Sequence, residues 1–191
     1  MEDNRQGERS SRVRALSDSI ALLRRTLPAV LPRLRRFART LTHDVQDADD
    51  LAQNAIERAL LRAAQWRAPA ADATAEQIEA AVRSWMFGIV KNAWIDNRRA
   101  HRRESAVLGG DAGLTEVADT AHSRVQDQLS IVAAMQRLPE DQCLAVSLVL
   151  VEGLSYQEAA DVMEVPIGTL TSRLSRAREA LAMLLGGDGA P

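Results

Sequence analysis

The 191-residue chain has one cysteine, six prolines and only six aromatic residues: three Trp, two Phe and one Tyr. A lone sulfur, Cys143, excludes an internal disulfide and a thiolate zinc site, which fits a reducing compartment. It lies in the apolar run Cys143–Val151, where a buried small hydrophobe is expected. No apolar stretch approaches the roughly 20 residues of a membrane span, and the polar start lacks the core of a signal peptide. A cytoplasmic protein without membrane insertion is expected. The formal net charge of −2 excludes a wholly basic, histone-like chain, so any nucleic-acid contact falls to local clusters. Alternation of β-branched residues is also missing, and Ala, Leu and Arg dominate; both point to an all-α fold. His43, His101 and His122 stand in turn, basic and linker segments without partner spacing. No metal, cofactor or catalytic residue is therefore expected.

The most informative stretch runs from Gly153 to Glu179. Ser155 followed by Glu158 reads as a capping box, so a helix starts there and stops at Glu164-Val165-Pro166. A second helix follows at once, with Ile167, Leu170, Leu174, Ala177, Leu181 and Leu184 on one inward stripe. Ser172, Ser175 and Arg176 then face outward beside Thr169, flanked by Arg173 on one side and by Thr171 and Arg178 on the other. A short helix, a tight turn and a longer helix with hydroxyls and guanidiniums outward is the layout of a helix-turn-helix. Outward Arg can contact guanine in bidentate fashion, and hydroxyls can read either base pair. A helical hairpin with a merely solvated face gives the same local pattern.

Upstream, residues 1–13 read as a polar tail and Ala15–Leu27 as a possible short helix. A helix is expected to start at Pro28, with Val30, Leu31, Leu34, Phe37, Ala38 and Leu41 inward. Asp47 is expected to cap the next helix, in which Leu51, Ala52, Ala55, Ile56, Ala59, Leu60 and Ala63 point inward. Asp50, Gln53, Asn54, Glu57 and Arg58 point outward. An Ala/Pro loop follows, and Thr74 with Gln77 forms a second capping box, opening a helix through Ile78 and Val82.

The segment Arg83–Arg103 sets Met86, Ile89, Val90 and Ala93 on a core face and two basic-polar stripes elsewhere. One stripe is Lys91, Arg98 and Arg102; the other is Asn92, Asp96, Arg99 and Arg103. Cations track phosphates and aromatic faces stack on unpaired bases, so Trp85 and Trp94 beside these cations suit an opened strand. Two core tryptophans with solubilising arginines fit the pattern as well. Residues 104–122 read as an acidic flexible linker. Beyond it, Val125, Leu129, Val132, Ala133 and Met135 predict one helix, and Pro139 starts another running to about Glu152.

Three of these segments, in this order, resemble a bacterial RNA polymerase sigma factor of the extracytoplasmic-function (ECF) group. Asp47–Ala59 is similar to the polymerase-binding helix, Trp85–Arg99 to the promoter-melting segment, and Leu138–Gln142 with Gly153–Ala160 to the upstream-element reader. The resemblance covers about Leu27–Leu185 and implies two small helical domains. These are a region 2-like domain over 27–103 and a region 4-like domain over 123–186, with a tail at 1–26, the linker at 104–122 and a tail at 187–191. It further implies that Asp50, Gln53, Asn54 and Glu57 face the clamp helices of the polymerase largest subunit. Asn92, Asp96, Arg98, Arg99 and Arg102 would lie along the −10 element. Thr171, Ser172, Ser175 and Arg176 would face bases of the −35 element, while Ser155, Tyr156, Arg173 and Arg178 would hold its phosphates. An anti-sigma factor is the expected regulator. A free-standing helix-turn-helix regulator and a helical interaction module are the competing readings.

Overall fold

The computed structural model describes residues 2–42, 44–66, 68–70, 72–108 and 131–185, and all regular structure among them is helical. The first unit packs three long helices: α1 (Glu2–Thr42), α2 (Val45–Leu61) and α3 (Ala75–Leu108). The second unit contains α4 (residues 131–136), α5 (Glu140–Val146) continuing into a π turn (Ser147–Val151), α6 (Tyr156–Met163) and α7 (Ile167–Leu185).

Helix α1 begins far earlier than Pro28 and replaces the expected tail and short helix with one 41-residue rod. Pro28 and Pro32 lie on its exposed side. There the carbonyls that lose an amide partner can be hydrated, so the helix runs through both prolines without ending. Leu23, Val30, Leu34, Phe37, Ala38 and Leu41 form its buried stripe, and the Phe37 and Phe87 rings meet with centroids 4.9 Å apart.

Asp44, not Asp47, caps α2: its carboxylate accepts from the Gln46 and Asp47 amides at 2.7 and 2.9 Å. Asp47 instead supplies first-turn negative charge toward the helix dipole. Ala48, Leu51, Ala52, Ala55, Ala59 and Ala63 are buried as small knobs against α1 and α3, whereas Leu60 is exposed. The Thr74–Gln77 box is present in both directions. It opens one unbroken 34-residue α3, where the sequence suggested two helices and a linker already under way at Glu104. The rest of that expected linker, residues 109–122, and the start of the following helix lie outside the described residues. In α4, Val132 and Ala133 are exposed and Ala134 and Met135 are buried, a shift of the expected stripe by one or two positions.

Around the helix-turn-helix the expectations fare better. Ser155 and Glu158 bond each other reciprocally, and α6 ends on Glu164 in the left-handed region at φ 57°. In α7, Leu170, Leu174 and Ala177 are buried, but Ile167 and Leu184 at its two ends are exposed. Cys143 is buried, and burial pushes its thiol up to about 11.

The two units share a continuous apolar cluster in which α6 packs on α3, and α5 with its π turn packs on α1. The Cys143 thiol lies 3.6 Å from the Thr40 carbonyl across this boundary. No described helix is long and apolar enough to cross a membrane.

Candidate nucleic-acid and polymerase interface

On α7, the outward face is formed as expected. Thr171, Ser172, Ser175, Arg176 and Arg178 are exposed, while Leu170, Leu174 and Ala177 hold the opposite side in the core. The Thr171 hydroxyl donates to the Ile167 carbonyl at 2.9 Å and the Ser172 hydroxyl to the Thr169 carbonyl at 2.9 Å. With their protons turned back onto the helix, both oxygens present lone pairs outward, and so suit amino-group donors on a base edge. Arg176 folds along the helix, donating from Nε to the Ser172 carbonyl and from Nη2 to the Ser172 hydroxyl, both at 3.3 Å. These contacts are long, and the guanidinium leaves them at small cost. Ser175 donates to Glu179 at 3.2 Å.

The flanking groups are arranged around the N-terminus of α6. Ser155 is committed to the capping box, with amide and hydroxyl both directed to Glu158 Oε2 at 2.8 and 2.7 Å. Those bonds hold the Glu158 carboxyl below the usual carboxylate range. Arg178 donates to the exposed Tyr156 hydroxyl at 3.4 Å. Arg173 is partly buried and paired with Asp141 at 2.9 Å.

On α2, Asp50, Gln53, Asn54 and Glu57 are all exposed, with Gln53 Nε2 donating to Glu57 at 3.2 Å. Arg58, expected to point freely outward, crosses to α3 and meets Asp96 at 3.2 Å. Asp50 and Asn54 line a cleft of about 580 Å³ with Trp94, Asn97, Arg98, His101 and Arg102. The proposed polymerase face and the proposed −10 face therefore adjoin.

On α3, Asn92, Asp96, Arg98, Arg99 and Arg102 are exposed, but the tryptophans and Lys91 are not free. Trp94 is core: its indole N–H donates to the Leu41 carbonyl at 3.1 Å. Trp85 is half-buried against Trp66, centroids 6.1 Å apart. Base stacking on Trp94 is thus replaced by a packing role, the outcome usual for aromatics at helical spacing. Lys91, expected on a solvent stripe, is 5% exposed and meets Glu164 at 2.7 Å. Arg98 lies 5.3 Å from the Trp94 ring centroid and pairs with Glu140 at 2.8 Å; Arg102 pairs with the same carboxylate. Asn92 lines a second cleft, about 530 Å³, with Trp66, Trp85, Asp161 and Glu164.

The acids Glu140, Glu152 and Glu164 were not identified as partners from the sequence. Each stands in the second unit and meets a cation of the first, so only the packing of the units reveals them. His43 and His122 lie outside the described residues.

An all-helical pair of units, one presenting a cationic helix and the other a helix-turn-helix with an open outward face, has the layout of a DNA-binding protein. Comparison with known proteins narrows this. Residues 128–181 match the family profile described as Sigma-70, region 4, and residues 27–91 that of the Sigma2 domain of PhyR. The ECF RNA polymerase sigma factor EcfG of Rhodopseudomonas palustris is 35% identical, across 92% of this chain and 90% of that protein. SigM of Mycobacterium tuberculosis is 36% identical across 81% of this chain and 72% of that protein. The chain belongs to the ECF RNA polymerase sigma factors. Among solved structures, the sigma factor RpoE of Bartonella quintana, in complex with the anti-sigma factor NepR, is 29% identical with a TM-score of 0.68, covering 87% of this chain and 98% of that one.

Proposed function

We propose that this protein is a dissociable, non-enzymatic promoter-specificity subunit of cytoplasmic RNA polymerase. The unit within 27–103 docks through Asp50, Gln53, Asn54 and Glu57 on the clamp helices of the largest subunit. Asn92, Asp96, Arg98, Arg99 and Arg102 then follow the −10 element as its strands separate, the three arginines chiefly by phosphate contacts, because the aromatic support is partly built into the core. The unit within 123–186 sets α7 in the upstream major groove. There Thr171, Ser172, Ser175 and Arg176 face bases, while Ser155, Tyr156, Arg173 and Arg178 face phosphates. The RpoE–NepR complex supports control of this chain by an anti-sigma factor that packs on it.

The observation that carries this reading is the open row Ser172–Ser175–Arg176 on the second helix of a helix-turn-helix, in a chain that matches ECF sigma factors over nearly its full length. Run-off transcription with core polymerase tests it. Promoter-specific initiation that depends on the added protein is expected; its absence, with sequence-specific duplex binding by the protein alone, would replace the reading with that of a free-standing regulator.

A further inference from the structure

The boundary between the two units carries a one-sided charge pattern. Arg36 meets Glu152, Lys91 meets Glu164, and Arg98 and Arg102 both meet Glu140. In every pair the cation belongs to the first unit and the carboxylate to the second. Two guanidiniums converging on one oxygen, Glu140 Oε1, is the arrangement with which arginines grip a phosphate. The adjacent Asp141 holds Arg173, one of the cations proposed to face upstream phosphates. The first turn of α5 therefore occupies one DNA-facing arginine set in each unit.

We propose that Glu140 is an internal stand-in for a DNA phosphate, so that the free protein closes on its own −10-facing arginines and must release them to hold a promoter strand. The proposal rests on the assignment of Arg98 and Arg102 to promoter DNA made above. Magnitudes decide which contact yields. Lys91 and Glu152 are almost wholly buried, although their partners Glu164 and Arg36 are 72% and 52% exposed, so each of these pairs has one member that loses most by separation, whereas no member of the Glu140 pairs is buried. The Glu140 pairs are half open to water, with side-chain exposures of 49% and 63% on the arginines. Ion pairs this open to water are weak and are screened by salt. A cleft of about 380 Å³, lined by Arg99, Arg102, Arg173, Glu140 and Asp141, leaves these groups reachable from solvent in the closed form. A polyanion gains from each counterion it releases and displaces a single carboxylate.

The full chain supplies its own reporter, because Cys143 is the one cysteine and lies buried at the boundary. The probes are a fluorescein-labelled single strand of mixed sequence, read by anisotropy at low salt, and a thiol-specific chromogenic reagent. Glu140→Gln is expected to bind the strand roughly fivefold more tightly, the scale of one or two half-exposed ion pairs. It should also raise the rate of Cys143 labelling after division by the thiolate fraction, which loss of the Glu140 charge by itself increases. Glu76→Gln, the same charge change at an exposed site on α3 remote in sequence from the arginines, is expected to do neither. An unchanged affinity for Glu140→Gln, or an equal gain for Glu76→Gln, overturns the proposal. Independently, Glu164→Lys should speed Cys143 labelling by setting two cations together, and the swap Lys91→Glu with Glu164→Lys should slow it again. A swap as reactive as the single reversal overturns electrostatic closure. Wild-type run-off transcription separates the two levels: its absence removes the promoter reading, whereas normal run-off beside an unaltered Glu140→Gln removes only the internal phosphate stand-in.

Discussion

The Arg36 guanidinium grips Glu152 in parallel, Nε on one carboxylate oxygen and Nη2 on the other, both at 2.8 Å, across 116 positions of sequence. Glu152 has no exposed side-chain surface, so this fork is what makes its burial tolerable. Arg36→Ala is expected to cost about 1–3 kcal/mol in urea unfolding, discounted because half of the Arg36 side chain is wet. Arg36→Lys should recover only part of that, since an ammonium cannot span both oxygens. Equal stability of all three proteins would show that the fork contributes nothing.

Trp94 separates packing from base stacking. Trp94→Phe removes the N–H bonded to Leu41 and leaves that carbonyl unpaired in the core, so a loss of about 1–3 kcal/mol in thermal or urea unfolding is expected. At a temperature where the variant is folded, promoter opening read by permanganate footprinting should be nearly unchanged. A stable variant that cannot open promoters would return Trp94 to the DNA.

Acid should weaken the helix-turn-helix through Glu158. Its carboxyl is depressed in the folded state by bonds from Ser155, so the contribution is full above the ordinary value of about 4.3 and fades as pH falls through the lowered folded value. Far-UV circular dichroism along an acid titration should show Glu158→Gln with a flatter stability profile over that window. Ser155→Ala should lose about 1 kcal/mol at neutral pH. A profile indifferent to both substitutions would remove the capping box as a source of stability.

Arg176→Ala is expected to cost about 1–3 kcal/mol on the preferred upstream sequence and to relax discrimination at one position. Gel-shift or run-off competition with altered −35 sequences measures it. Uniform weakening on every sequence would assign Arg176 to phosphate.

Legibility in the sequence followed the range of the forces involved. The capping boxes at Thr74 and Ser155, the break at Pro166 and the outward row of α7 depend on neighbours within one turn, and each was recoverable by counting. The α1 boundary was misplaced because Pro28 looks like a start, and only the position of Pro28 and Pro32 on a wet face shows that the helix can pass through them. Lys91 was misplaced, and the two readings of Trp94 stayed unresolved, for a different reason. Periodicity separates inside from outside relative to one helix, but the surface that buries Lys91 is Glu164 and its neighbours, 73 positions away. The paired state of Arg98 and Arg102 was hidden for the same reason.

Glu164 occupies a backbone conformation, φ 57°, that glycine adopts without strain and a β-carbon resists. Glycine there would still turn the chain from α6 into α7, yet it would carry no carboxylate to reach Lys91. One residue thus serves as both the elbow of the DNA reader and its clasp on the neighbouring unit.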